Sequence, residues 1–406
     1  MNREILLVVF MNSAALDTTC SGNVHRLPLI RALSEQLNGT GKVLLVAHYI
    51  SLISSPLQEP GRIVRQLINS QPQQYLPNVF IWVPWVPWNV SLAERHSLLL
   101  GVFRQFLQHS LRRAIEMLKF DRGIRVAWLT HPYHLYYRGL VSEKLTVYEC
   151  YDDFVWCRSG RMNNRIRAIE RQLARESDVV LATAQTLYHR LKEDNTNTHY
   201  FPNAVEFSLF SQAIDPATPV ANQLTTIPKP VVGFMGNLSD WYDFSLLLEL
   251  ITSRPKWSFV FVGEVAANVH EEADRLRQCS NVFFLGWQKY EMLPSFLKGF
   301  DVAIMPYKLN TLMQSVNPNK MYQLMAAGLP IVSTPIPEAL CFSEVISTAS
   351  DAAGFAQQIE LCLSQLNSYR RERQMSIAAR ECWDKRAEMA LWLIEESLKV
   401  RNVLSA

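Results

Sequence analysis

At 406 residues the chain is too long for one ordinary core, so two or three domains are expected. Apolar types make up 49% and charged types 19%, which excludes a disordered chain, and a formal net charge of +3 is too small to argue for wholesale nucleic-acid binding. No window of about 18 apolar residues occurs, so no bilayer-spanning helix is expected.

The opening, MNREILLVVFMNS, runs from one Arg straight into a strand-like pattern without a small-residue cleavage site, so no signal peptide is expected. The seven cysteines are scattered and never spaced as metal pairs, which fits reduced thiols in a cytoplasmic protein. Strands are predicted at 4–10, 42–49, 78–85, 125–132, 145–153, 179–184 and 199–204, with helical patterns at 24–37, 92–119 and 161–177 between them. The segment 207–230 carries four prolines and no clean period, and reads as an inter-domain linker. Strands resume at 231–236, 258–263, 282–287, 302–307, 330–334 and 344–348. From 369 onward the pattern is helical and ends on an apolar stripe that must dock somewhere. This alternation predicts an α/β protein with two doubly wound, Rossmann-like domains facing a cleft. The domains fall at 1–206 and 231–368, with C-terminal helices at 369–406 crossing back to the first.

The usual nucleotide loops are missing. No GxGxxG follows a strand, and no Walker A sequence occurs, so hydride transfer on a dinucleotide and ATP-driven phosphoryl transfer both lose ground. Two segments of the second half point to an anion instead. VVGFMGN ends a strand on Gly233 and Gly236, where backbone N–H groups can approach a phosphate closely. SVNPNKMYQLMAAGLPIV reads as a helix with Asn317 as N-cap, Pro318 as first helical residue and Gly328 with Pro330 as its stop. Lys320 then lies in the first turn, at the positive end of the helix dipole, where it costs about 0.3–1 kcal/mol unless an anion is near. Gln323 follows on the same face.

These segments, with WSFVFVGE (257–264), NVFFLGW (281–287), LPSFLKGFDVAIMPY (293–307) and NPNKMYQLMAAGLPIVST (317–334), resemble the nucleotide-sugar-binding domain of GT-B glycosyltransferases. The likeness is nearest the group-1 (GT4-like) branch and the bacterial exopolysaccharide and teichuronic-acid transferases; it covers about 110 residues, and YECYDDF (148–154) extends it loosely into the first half. The resemblance implies a metal-independent transfer of a sugar from an NDP-sugar, UDP-sugar foremost, to a saccharide or lipid-linked acceptor in cell-surface polysaccharide assembly, without a cofactor and without nucleic acid. It assigns the donor to Gly236, Asn237, Glu264, Tyr307, Asn317, Asn319, Lys320 and Gln323. Lys320, the helix start and the Gly236 loop would meet the charge of the leaving diphosphate, in place of a DxD-held metal. Gln323 stands where the family has a Glu that accepts from the ribose hydroxyls, and a neutral acceptor holds less tightly.

Asp153, then Asp152, at a strand's carboxyl end, are the candidates for the base that the resemblance implies deprotonates the acceptor; the pair tilts towards inversion, and retention stays open. His25, at a helix start after the first strand, is the next choice, with Ser21, Gly22 and Asn23 beside it. His131 and His134 read as polar lining, since no third metal ligand accompanies them. Trp241, Tyr242 and Asp243 read either as a stacking surface for sugar or base or as core. The tryptophans of FIWVPWVPWNV (80–90) and the arginines of 103–122 suit a membrane interface, hence a peripheral position on the inner face of the plasma membrane; a buried strand and a solvated basic helix are the plain alternative. Two other functions stay open: a GT-B-shaped sugar-nucleotide 2-epimerase, and a non-catalytic assembly subunit.

Overall fold

A computed structural model describes residues 4–11, 26–47, 50–51, 71–120, 123–156, 160–365 and 368–401. The chain forms two compact units, Met1–Phe201 with Arg386–Ala406, and Pro202–Lys385.

The first unit holds β1 (Ile5–Phe10), β2 (Gly41–Val46), β3 (Ile50–Ser51), β4 (Gln73–Leu76), β5 (Val79–Trp82), β6 (Trp85–Val86), β7 (Ile124–Leu129), β8 (Leu145–Cys150), β9 (Val179–Ala182) and β10 (Thr198–Tyr200). Eight of them form one sheet in the order β10-β9-β8-β7-β1-β2-β5-β4, parallel except for β4, which pairs antiparallel with β5. All six side chains of ILLVVF in β1 are buried, as a central parallel strand covered on both faces requires. The 78–85 run is split: β5 ends at Trp82, and Trp85–Val86 pairs instead with Ile50–Ser51.

The second unit holds β11 (Val231–Met235), β12 (Ser258–Val262), β13 (Val282–Gly286), β14 (Val302–Met305), β15 (Ile331–Ser333) and β16 (Ile346–Thr348), in the order β13-β12-β11-β14-β15-β16. Every pairing is parallel. The order reverses between β11 and β14, and in such sheets ligands bind beyond the carboxyl ends of the strands at that reversal.

Two boundaries differ from the sequence reading. Residues 207–230 are not a linker: Phe210, Ala213, Leu224 and Ile227 are buried in the core of the second unit. Burying a phenylalanine alone contributes about 2–3 kcal/mol, enough to hold a proline-rich segment in place. The helix Ser368–Arg380 also stays with the second unit, where Gln374 bonds the carbonyls of Leu329 and Val345; only from Arg386 does the chain rejoin the first unit. There Arg401 pairs with Asp178.

Candidate functional site

At the reversal point of the second unit, Gly236 follows β11 with φ of +121°, and Gly263 follows β12 with φ of +143°. A Cβ on Gly263 would run into the carbonyl of Gly236, and one on Gly236 would meet the Lys320 ammonium. Glycine is required at both, and the backbone after β11 is left bare. Gly233 has another task, since the ring of Phe300 covers the face a side chain would occupy. It is a packing residue within β11.

The loop after Gly236 is stitched to the end of β14. Asp243 N–H donates to the carbonyl of Pro306 (2.8 Å), Lys308 N–H donates to that of Trp241 (2.9 Å), and Tyr242 bridges Tyr307. Tyr242 is buried and its ring lies 5.0 Å from that of Tyr307, whose phenol burial drives well above its ordinary pKa. Asp243 caps the helix Phe244–Ser253, accepting from Leu246 N–H at 3.0 Å. Tyr242 and Asp243 are therefore structural here, not a stacking platform.

The helix Asn319–Ala326 begins one residue later than its sequence suggests. Pro318 stands at the cap, and no side chain caps the first turn. Asn317 turns inward: its amide donates to Tyr322 Oη (3.1 Å) and Glu338 Oε2 (2.8 Å), and its Oδ1 accepts from Asn203 N–H (3.2 Å). The N–H groups of Asn319 and Lys320 are first-turn donors without an intrahelical acceptor. Beside them Asn319 Oδ1 is buried without a hydrogen-bond partner.

Lys320 Nζ lies 4.9 Å from the ring centres of both Phe234 and Tyr242 and donates to Tyr242 Oη. Among the described residues it forms no ion pair, so a cation at the positive end of a helix is held by two ring faces and a hydroxyl oxygen. Gln323, one turn on, reaches Tyr290 Oη through its Nε2 at 3.5 Å, leaving its carbonyl oxygen as an acceptor. Asn237 and Glu264 are exposed beside the glycine pair, and the carbonyl of Glu264 accepts from Leu238 N–H. Gly236, Asn319, Lys320 and Tyr307 thus gather at one edge through Tyr242, while Asn317 is withdrawn into the interior.

In the first unit Asp152 and Asp153 lie beyond the end of β8, in a turn, so the alternation of a strand does not separate them. Asp153 is buried, and Arg190 Nη1 holds both its oxygens, at 2.9 and 2.8 Å. The same guanidinium reaches Glu170 at 2.9 Å; burial acts to lower its pKa, but Glu170 foremost and Asp153 with it raise it. Asp153, ranked first as base from the sequence, is thus held in an ion pair with Arg190. Among the described residues Asp152 has only Oδ1 engaged, by Asp153 N–H (2.8 Å); burial pushes its carboxyl pKa up, against that hydrogen bond. His25 lies outside the described residues, with Ser21, Gly22 and Asn23. His131 and His134 accept through Nδ1 from Tyr133 N–H and Thr130 N–H, the first capping the turn Pro132–Tyr137. Among the described residues no three His, Cys, Asp or Glu side chains gather as a metal site.

Phe234, Gly263, Glu338 and Arg190 were not singled out from sequence as site or positioning residues, and Tyr242 was read only as a stacking surface or core, not as the partner of the lysine. Gly263 carries the visible signal of a second glycine at a strand end; the others depend on contacts across 20 residues or more.

The match to the family model of group 1 glycosyl transferases spans residues 229–365. A putative teichuronic acid biosynthesis glycosyltransferase of Bacillus subtilis, TuaH, is 28% identical over 221 residues, 52% of this chain and 55% of the relative. The chain thus spans about half the length of that curated relative. Among solved structures, HepE of Anabaena in complex with UDP matches 97% of this chain and 100% of its own at a TM-score of 0.64 and 13% identity. Sucrose-phosphate synthase of Thermosynechococcus elongatus matches 98% and 100% at 0.65 and 14%.

Proposed function

We propose that this chain, whose residues 229–365 are a group 1 glycosyltransferase domain within a GT-B fold, moves a sugar from a UDP-sugar to a hydroxyl of a saccharide or lipid-linked acceptor. Lys320 carries the reading: an ammonium at a helix start, packed against a bare glycine and without an ion pair among the described residues, is completed by an anion. As the glycosidic bond breaks, charge grows on the leaving diphosphate, and Lys320 with the N–H groups of Asn319 and Lys320 is oriented to meet it. That supply of positive charge supports a metal-independent reaction. Gln323 offers its carbonyl oxygen to the ribose, and Asp152 takes the proton of the acceptor hydroxyl. The UDP bound to HepE and the teichuronic-acid role named for TuaH support the nucleotide and a role in cell-surface polysaccharide assembly.

The acceptor side of the proposal includes a membrane surface. Along the helix Ser97–Met117, Leu98 is 84% and Val102 50% exposed, Trp85 packs on Phe106 beside them, and Arg112 and Arg113 follow, also exposed. An apolar stripe running into arginines fits the headgroup region of an anionic leaflet, here the inner face of the plasma membrane. No helix of the described residues is long and apolar enough to cross a membrane.

A thermal-shift screen across UDP-, GDP- and dTDP-sugars tests the donor, with stabilisation by a UDP-sugar expected. Stabilisation by no nucleotide would leave a non-catalytic assembly subunit. Radiolabelled donor incubated without acceptor should yield free sugar slowly; an epimerised nucleotide-sugar would move the chain to the 2-epimerases.

A further inference from the structure

Asn-Pro at a helix start ordinarily means an asparagine cap followed by a proline in the first helical position. Here that arrangement is displaced by one residue. Asn317 spends both amide hydrogens inward, on Tyr322 Oη and on Glu338, a carboxyl group that is only 1% exposed. Its own carbonyl and Oδ1 are both held by Asn203, through Nδ2 and N–H respectively. Pro318, which has no side-chain acceptor, is left at the cap.

We propose that Glu338 and Asn203 are positioning residues that hold Asn317 away from the helix start, so that the first-turn N–H groups stay open for a diphosphate. The inference rests on the donor reading above and adds a residue set to it. Released, Asn317 would take the place its sequence context offers, and its side-chain oxygen would cover the donors that the phosphate needs. The buried network thus sets anion affinity without touching the anion.

The test is Asn317→Asp, alone and combined with Glu338→Gln. A carboxylate has no hydrogen to donate to Tyr322 or Glu338, and it is a good helix cap. In the single variant the side chain moves to the helix start, so UDP affinity in calorimetry falls about tenfold or more. The preference for UDP over UMP shrinks, while the new helix cap offsets part of the stability lost with the two buried hydrogen bonds, so the unfolding temperature without nucleotide falls only modestly. In the double variant the new amide at 338 donates to the carboxylate at 317, reversing the original bond, and UDP affinity returns towards that of the parent. Glu338→Gln alone keeps an acceptor for Asn317 and binds UDP as the parent does. The inference is overturned if Asn317→Asp binds UDP like the parent. It is equally overturned if affinity and unfolding temperature fall together with no rescue, since that is mere structural damage. A parent protein that binds neither UDP nor any other nucleoside diphosphate would instead sink the donor reading itself.

Discussion

Replacing Lys320 by methionine keeps an unbranched side chain beside Phe234 and Tyr242 and removes the charge that lies over their rings. Two unit charges about 4 Å apart interact by about 4 kcal/mol at an effective dielectric of 20, a ceiling for a part-buried, salt-screened group. Hydrogen bonds to charged groups contribute about 1.5–3 kcal/mol net, which at about 1.4 kcal/mol per decade means UDP binding weaker by roughly 10- to 150-fold. Folding stability without ligand should fall by less than about 2 kcal/mol. Relief of the helix dipole returns about 0.3–1 kcal/mol, while two cation–π contacts worth about 0.5–1 kcal/mol each are lost. Calorimetric titration of UDP into parent and Lys320→Met, with unfolding curves of both nucleotide-free proteins, separates the two effects. Equal UDP affinities would refute the assignment of the lysine to the phosphate, and a large drop in nucleotide-free stability would make it a packing residue.

Gly236→Ala should abolish measurable UDP binding and lower the unfolding temperature, because a left-handed φ and the lysine ammonium both oppose a methyl group there; a variant that binds UDP normally would contradict the close approach. Asp152→Asn should suppress donor turnover while leaving UDP affinity intact, whereas Asp153→Asn should mainly destabilise the fold by loosening Arg190, and the opposite pattern would restore Asp153 as the base. Since burial raises the Asp152 pKa, its ionised form is disfavoured in the folded chain: that contribution to stability is present at low pH and lost as pH rises through the folded pKa. Turnover should therefore fall on acidification at a higher pH than an ordinary carboxylate gives, and the nucleotide-free Asp152→Asn protein should be no less stable than the parent near neutrality. Leu98→Glu with Val102→Glu should release the protein from anionic vesicles in a flotation assay without changing UDP affinity; unchanged flotation would leave that helix a solvated surface.

The apolar strands declared themselves in the sequence because a parallel sheet covered on both faces needs nearly continuous valine, leucine and isoleucine. QQYL at 73–76 did not, being a polar antiparallel edge strand with prolines close by. The prolines of 207–230 suggested a linker, but Phe210 and Leu224 decide its place by burial, which proline content does not reveal. In the donor edge, Lys320 and Gly236 were legible as residue types at strand and helix ends. That the lysine is held against the loop after Gly236 by Tyr242 depends on a contact across 78 residues. The pairing of Asp153 was hidden for the same reason: Arg190, which claims its carboxylate, lies 37 residues away. The Asn-Pro pair allowed two helix starts one residue apart, and the carboxyl of Glu338 decides between them.

The central claim, that a lysine and a helix start receive the diphosphate without a metal, is met most directly by a crystal structure of the UDP complex grown in EDTA. The account predicts phosphate oxygens within hydrogen-bond distance of Lys320 Nζ and of the N–H groups of Asn319 and Lys320, against the bare face of Gly236. UDP bound elsewhere, or bound only when magnesium is supplied and bridged by it, would contradict the account.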